Sequence, residues 1–118
     1  MLMEQGYQEF QQLVMRYIHL EVLILVLQQD LERIRLLKMG SIYAEWLGLV
    51  IDRINSDLGK MRRKMKSMNG KIVEVIQKEK TRLVKYKHRG YLYEEEYLNS
   101  LIKVECEKLL KQYLKNPC

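Results

Sequence analysis

Between Lys60 and Arg89 the chain carries twelve Lys or Arg against two Asp or Glu, a local charge of +10 in a protein whose total is +6. Residues 1–59 sum to −3 and residues 90–118 to −1, so the cations form a block between mildly acidic flanks. Such a block attracts phosphates, acidic lipid heads or an acidic protein face. Nine of its members are the candidate anion-binding residues. Arg62, Arg63, Lys64 and Lys66 end one helix, and Lys71, Arg82, Lys85, Lys87 and Arg89 decorate the segment after it, with Tyr86 and Tyr91 interleaved. The plain alternative is a solvated face that keeps the protein soluble, since bases at a helix C-terminus also complement its dipole. No helix-turn-helix or basic-zipper signature is present. Contact with nucleic acid would therefore be electrostatic, weakly sequence-selective and sensitive to salt.

Catalysis needs convergent polar groups of matched pKa, and the sequence offers few. His19 sits in the apolar run YIHLEV and reads as a core or interface histidine. His88, in KYKHRG, reads as part of the cationic surface. Cys106 falls on an apolar stripe as a buried thiol, and Cys118 is a terminal free thiol with no partner implied. Glu94, Glu95 and Glu96 are contiguous and point three ways on a helix, which suits a helix start better than a cation site. Trp46 reads as core or dimer contact. There is no Gly-rich phosphate loop, paired-cysteine metal site or HExxH string. The expectation is no catalytic residue, no metal and no cofactor, hence a protein that is not an enzyme.

These groups need a scaffold, and 118 residues with 47% apolar content suit one domain. The longest apolar run, Val22 to Leu27, is too short to span a bilayer, and no secretory signal or disulfide framework is visible. The expectation is a soluble cytoplasmic protein without a transmembrane segment. Met3, Tyr7, Phe10, Val14 and Tyr17 step by 4, 3, 4 and 3, and Leu20, Leu23, Leu27, Leu31 and Ile34 continue the helical period. This predicts a helix over about residues 4–38. Its all-round apolar stretch must be covered by a third element or a second chain. Met39-Gly40-Ser41 reads as stop and restart, with Gly40 left-handed and Ser41 capping. Leu47, Ile51, Ile54, Leu58, Met61, Met65 and Met68 then make a heptad-quality stripe over about residues 42–68, antiparallel to the first. The methionines are either core or an adaptable binding strip.

Asn69-Gly70 opens two readings. In one, the second helix runs on to His88 and the fold is an all-α bundle. In the other, KIVEVIQ and TRLVKYKH form a β-hairpin over about residues 71–88. With Glu79 and Lys80 at its tip, Val75 faces Val84, Val73 faces Tyr86, and Glu74 faces Lys85. A last helix over about residues 92–115 starts with the glutamate triple and carries Leu98, Ile102, Cys106, Leu109 and Tyr113, ending at Asn116-Pro117.

Lys71-Ile72-Val73, Tyr86, Arg89-Gly90-Tyr91 with following acids, Asn99, Ile102, Glu107-Lys108-Leu109-Leu110 and Tyr113-Leu114 occur in that order. The pattern resembles that of a group of small uncharacterised bacillus proteins, the YhjD-like family: a KV strand, an aromatic strand, a GY turn, and an Asn-bearing helix ending in a leucine pair. The likeness spans about residues 42–115. It implies helix–helix–hairpin–helix and brings no activity with it.

The sequence therefore predicts a mainly α, α+β domain of two long antiparallel helices, a basic hairpin and a C-terminal helix. Surplus apolar surface on the first two helices predicts a homodimer. The function expected is a non-enzymatic interaction or regulatory protein that self-associates and docks its basic segment on an anionic protein surface. Direct DNA or RNA binding is the alternative. A peripheral membrane role stands third, because no exposed-looking apolar stripe is evident beside the cations.

Overall fold

A computed structural model describes residues 2–115, with side chains from Gly6 onward. The Met3 side chain, the Asn116-Pro117 stop and Cys118 lie outside the described residues. The elements run α1 (Leu2–Ile34), α2 (Gly40–Ser67), β1 (Gly70–Gln77), β2 (Thr81–His88), β3 (Tyr91–Leu98) and α3 (Asn99–Lys115). Two long helices form an αα-hairpin, and a three-stranded antiparallel sheet in the order β1-β2-β3 completes the mixed, mainly α architecture. The chain turns into strand after Asn69, and the single long second helix is not formed.

The 3–4 spacing of α1 and α2 places Phe10, Val14, Ile18, Leu23 and Leu27 against Leu47, Val50, Ile54 and Leu58 in one continuous core. Met65 is buried in it, and Met61 and Met68 pack against it, so the methionine stripe is core. More than one element covers α1, although Leu25 and Val26 of its all-round apolar run stay exposed. The Cys106 thiol on α3 meets the His19 carbonyl at 3.4 Å, while the sheet covers Tyr7, Phe10 and Gln11. By length and composition Gly6–Ile34 could cross a membrane, but half of its most apolar window is buried inside the molecule, as a core helix requires.

Three local expectations are corrected. Met39, not Ser41, occupies the α2 N-cap position, and it makes no side-chain capping bond. Gly40 is the first residue of α2, not a left-handed helix end. Glycine is needed there because a Cβ would lie 2.5 Å from the Ile34 carbonyl oxygen and 2.6 Å from that of Arg35. Residues 91–98 are a strand, so the last helix starts at Asn99, not near 92. Arg89 and Gly90 both take positive φ, 53° and 86°, which makes the tight two-residue turn that matches strand twist. The chain therefore returns as a strand, and the glutamate triple lies on it. Tyr93, Glu95 and Tyr97 alternate with Leu92, Glu94, Glu96 and Leu98, as a pleated strand demands.

The β1–β2 register pairs Val75 with Val84 and Glu74 with Lys85, as expected. Tyr86 pairs with Ile72 rather than Val73, because a β-bulge at Val73 inserts one residue. Glu79 and Lys80 form the tip, closed by the Lys78 amide donating to the Thr81 carbonyl at 2.8 Å.

Candidate anion-binding surface

Successive residues on a helix point about 100° apart, and this splits the run Lys60–Lys66. Arg62 and Lys66, one turn apart, line a groove of about 720 Å³ together with Lys71 and Lys87 from the sheet. Lys71 and Lys87 are cross-strand partners, which puts both side chains on the same face of the sheet. Met65 and Ile72 give the groove an apolar floor, and Tyr17 and Glu21 border it from α1. Arg62 donates through Nη1 to the Tyr17 hydroxyl at 3.1 Å, which anchors the guanidinium. Burial pushes the Tyr17 hydroxyl above its ordinary pKa, with the Arg62 bond pulling partly back.

Lys60 and Lys64 turn instead into a second groove, of about 560 Å³, where they meet Arg16, Arg53, Asp57 and Tyr113. Tyr113 donates to Asp57. Burial first and the Asp57 carboxylate second push the Tyr113 hydroxyl well above its ordinary value. Lys64 also stands 3.7 Å from Glu9, an exposed pair of little energetic weight. Arg63 is exposed between the two grooves. The C-terminal half of α2 is thus cationic on both flanks.

The other candidates do not join this surface. Lys85 lies 3.5 Å from Glu74 and 3.8 Å from Glu94, neutralised by the strands on either side. Arg82 faces inward, donates to Gln77, and borders a largely apolar cavity beside Cys106 and Leu27. Arg89 is taken up by the tight turn, its guanidinium packed beside Gly6. The nine cations are therefore not one outward patch. Six belong to the α2 surface, while Arg82, Lys85 and Arg89 point elsewhere. The nine candidates leave out Lys60, although it opens the block, and Arg16 and Arg53, which precede it. The signal was present in the α2 positions 53, 57, 60 and 64, which recur at helical spacing.

The remaining candidates resolve into structure. His19 is buried, and desolvation lowers its pKa, with Glu105 opposing. His88 is not on the cationic surface. Only 3% of it is exposed, and its ring stacks on Phe10 with centroids 4.5 Å apart. The alternation of β2 turns it inward with Val84 and Tyr86. Tyr86 is likewise fully buried, not interleaved with exposed cations. Desolvation and the nearby Arg89 charge lower the His88 pKa. Cys106 is buried, and desolvation raises its pKa, which disfavours the nucleophilic thiolate. Trp46 is exposed rather than core.

Between α1 and the sheet lies a polar knot centred on Glu95. Its carboxylate accepts from Tyr86 at 2.6 Å, from Tyr97 at 3.1 Å, and from the Gln11 amide. The Tyr7 hydroxyl stands 3.2 Å from that of Tyr86. Desolvation and the Glu95 carboxylate hold the Tyr86 and Tyr97 hydroxyls far above their ordinary pKa, so they remain donors. Among the described residues no group of three or more metal-ligating side chains converges.

No curated protein and no solved structure matches the chain. The family model described as YhjD protein matches residues 4–117, almost the whole sequence. The chain belongs to the YhjD protein family.

Proposed function

We propose that the protein is a non-enzymatic docking module that holds an acidic segment of a partner protein along the C-terminal half of α2. The observation that carries this reading is the groove in which Arg62, Lys66, Lys71 and Lys87 surround an apolar floor of Met65 and Ile72. Four cations and one bordering carboxylate, Glu21, leave it electropositive. A concave cationic site with an apolar floor suits a chain that alternates acidic and apolar side chains. A partner held by rim charges associates quickly and weakens with salt. The Arg62–Tyr17 bond keeps one cation in place before binding.

Nucleic-acid binding is the second reading. It is favoured by the cross-strand partners Lys71 and Lys87, two exposed cations on one face of the sheet that a phosphate backbone could follow. Fluorescence anisotropy with a labelled peptide alternating Glu and Leu, competed by unlabelled duplex DNA or single-stranded RNA, separates the two. Saturable peptide binding that excess DNA or RNA displaces poorly supports the first. Tight nucleic-acid binding with negligible peptide affinity rejects it for the second.

A further inference from the structure

We infer that the turn joining α1 to α2 is a membrane-docking tip that enters the interfacial layer of an anionic lipid bilayer. The fully buried core of α1 ends at Leu27 and resumes on α2 only at Leu47. Between them, Leu36, Leu37, Met39, Ile42, Tyr43 and Trp46 are all exposed, Leu36 to 87%. Contiguous apolar surface at the end of a helical hairpin is rare without an occupant. Ile42, Trp46 and Leu49 recur at helical spacing on α2, so the exposed surface continues from the turn along one face.

Charge selects the occupant. Residues 33–39 hold Arg33, Arg35 and Lys38, all exposed, and no acid; Arg35 pairs with the preceding Glu32 at 3.2 Å, so Arg33 and Lys38 carry the charge of the turn. Anionic headgroups attract them at the depth where Leu36 and Leu37 meet the acyl boundary. Tyr43 and Trp46, apolar rings with polar edges, suit the headgroup layer just behind. A second copy is the rival. An isologous contact through this tip brings Arg33 and Lys38 against their own copies, whereas an anionic bilayer neutralises them. The cations of this tip are not those of the α2 grooves, so the inference stands apart from the peptide-docking reading.

Trp46 is the only tryptophan, so its emission reports the tip directly. The full chain is mixed with vesicles of phosphatidylglycerol or of phosphatidylcholine alone, reading Trp46 emission and co-sedimentation. The expected result is a blue shift and co-sedimentation with the anionic vesicles. Leu36→Ser/Leu37→Ser, made in a surface turn and checked for unchanged circular dichroism, should weaken that binding at least about tenfold. Arg33→Glu/Lys38→Glu should remove the preference for anionic lipid. Three results overturn the inference: no sedimentation with anionic vesicles; vesicle binding that survives L36S/L37S but is lost in Arg62→Glu/Lys66→Glu; or a concentration-dependent blue shift with doubled mass in the absence of lipid. The last would make the tip a dimer contact.

Discussion

Arg62 on α2 reaches back across the helical hairpin and donates to the Tyr17 hydroxyl on α1 at 3.1 Å. A guanidinium at the rim of a groove is thereby tied to the core, since Tyr17 is buried. Tyr17→Phe removes the acceptor and leaves the ring. Because Arg62 is exposed, the expected loss of stability by urea titration is small, about 1 kcal/mol or less. The acidic-peptide affinity should fall a few-fold, because the freed Arg62 must be reordered on binding.

Gly70 and Phe10 make a close backbone-to-ring contact that a single methyl group would destroy. A Cβ at position 70 would sit inside the Phe10 ring. Gly70→Ala should destabilise the fold by about 1–3 kcal/mol through overpacking. Phe10→Ala alone should cost about 3–5 kcal/mol as a cavity. In the double variant the Gly70→Ala increment should nearly vanish. A double-mutant cycle by chemical denaturation reads the coupling, and additive losses would refute the contact.

The fold was legible where one period ran uninterrupted. The 3–4 steps of Phe10, Val14 and Tyr17 and of Leu47, Ile51 and Ile54 set both long helices. The Val, Ile, Thr and Tyr content after Asn69 set the first two strands. The third strand was misread because Gly90 followed by three glutamates imitates a helix start, although Tyr91, Tyr93 and Tyr97 already alternate. The candidate site was legible as charge but not as direction. Residues only two apart, such as Lys64 and Lys66, enter different grooves, and Lys85 is neutralised by Glu94, whose neighbourhood depends on the missed strand. His88 was misplaced because cationic neighbours in sequence say nothing of which side of a strand faces the core.

Glu95 should matter more than an exposed carboxylate because several donors converge on it. Glu95→Ala leaves the Tyr86 and Tyr97 hydroxyls without that acceptor, and a loss of roughly 2–3 kcal/mol is expected. Glu95→Gln keeps an acceptor and should lose less. Thermal unfolding of the two variants tests the order, and an equal effect would argue against the network.

Both buried histidines have pKa values lowered by desolvation. Their unfolded forms therefore take up protons first as pH falls. Stability should be greatest above the ordinary histidine value of about 6.5 and decline as pH drops from there toward the lowered folded values. His88→Phe keeps an aromatic ring against Phe10 and removes one titrating site. Denaturant midpoints measured from pH 8 to pH 5 should fall less steeply for this variant, and parallel curves would exclude His88 as a source of the slope.

The central claim is that the location of the cations on α2, not their number, holds the acidic partner. Two charge-matched reversals decide it: Arg62→Glu/Lys66→Glu in the groove, and Lys111→Glu/Lys115→Glu at exposed sites on α3. Acidic-peptide affinity is measured by anisotropy at one fixed salt concentration for both variants. The groove variant should lose at least about tenfold while the α3 variant stays within about threefold of the unmodified chain. Equal losses in the two variants would reduce the attraction to net charge and contradict the account.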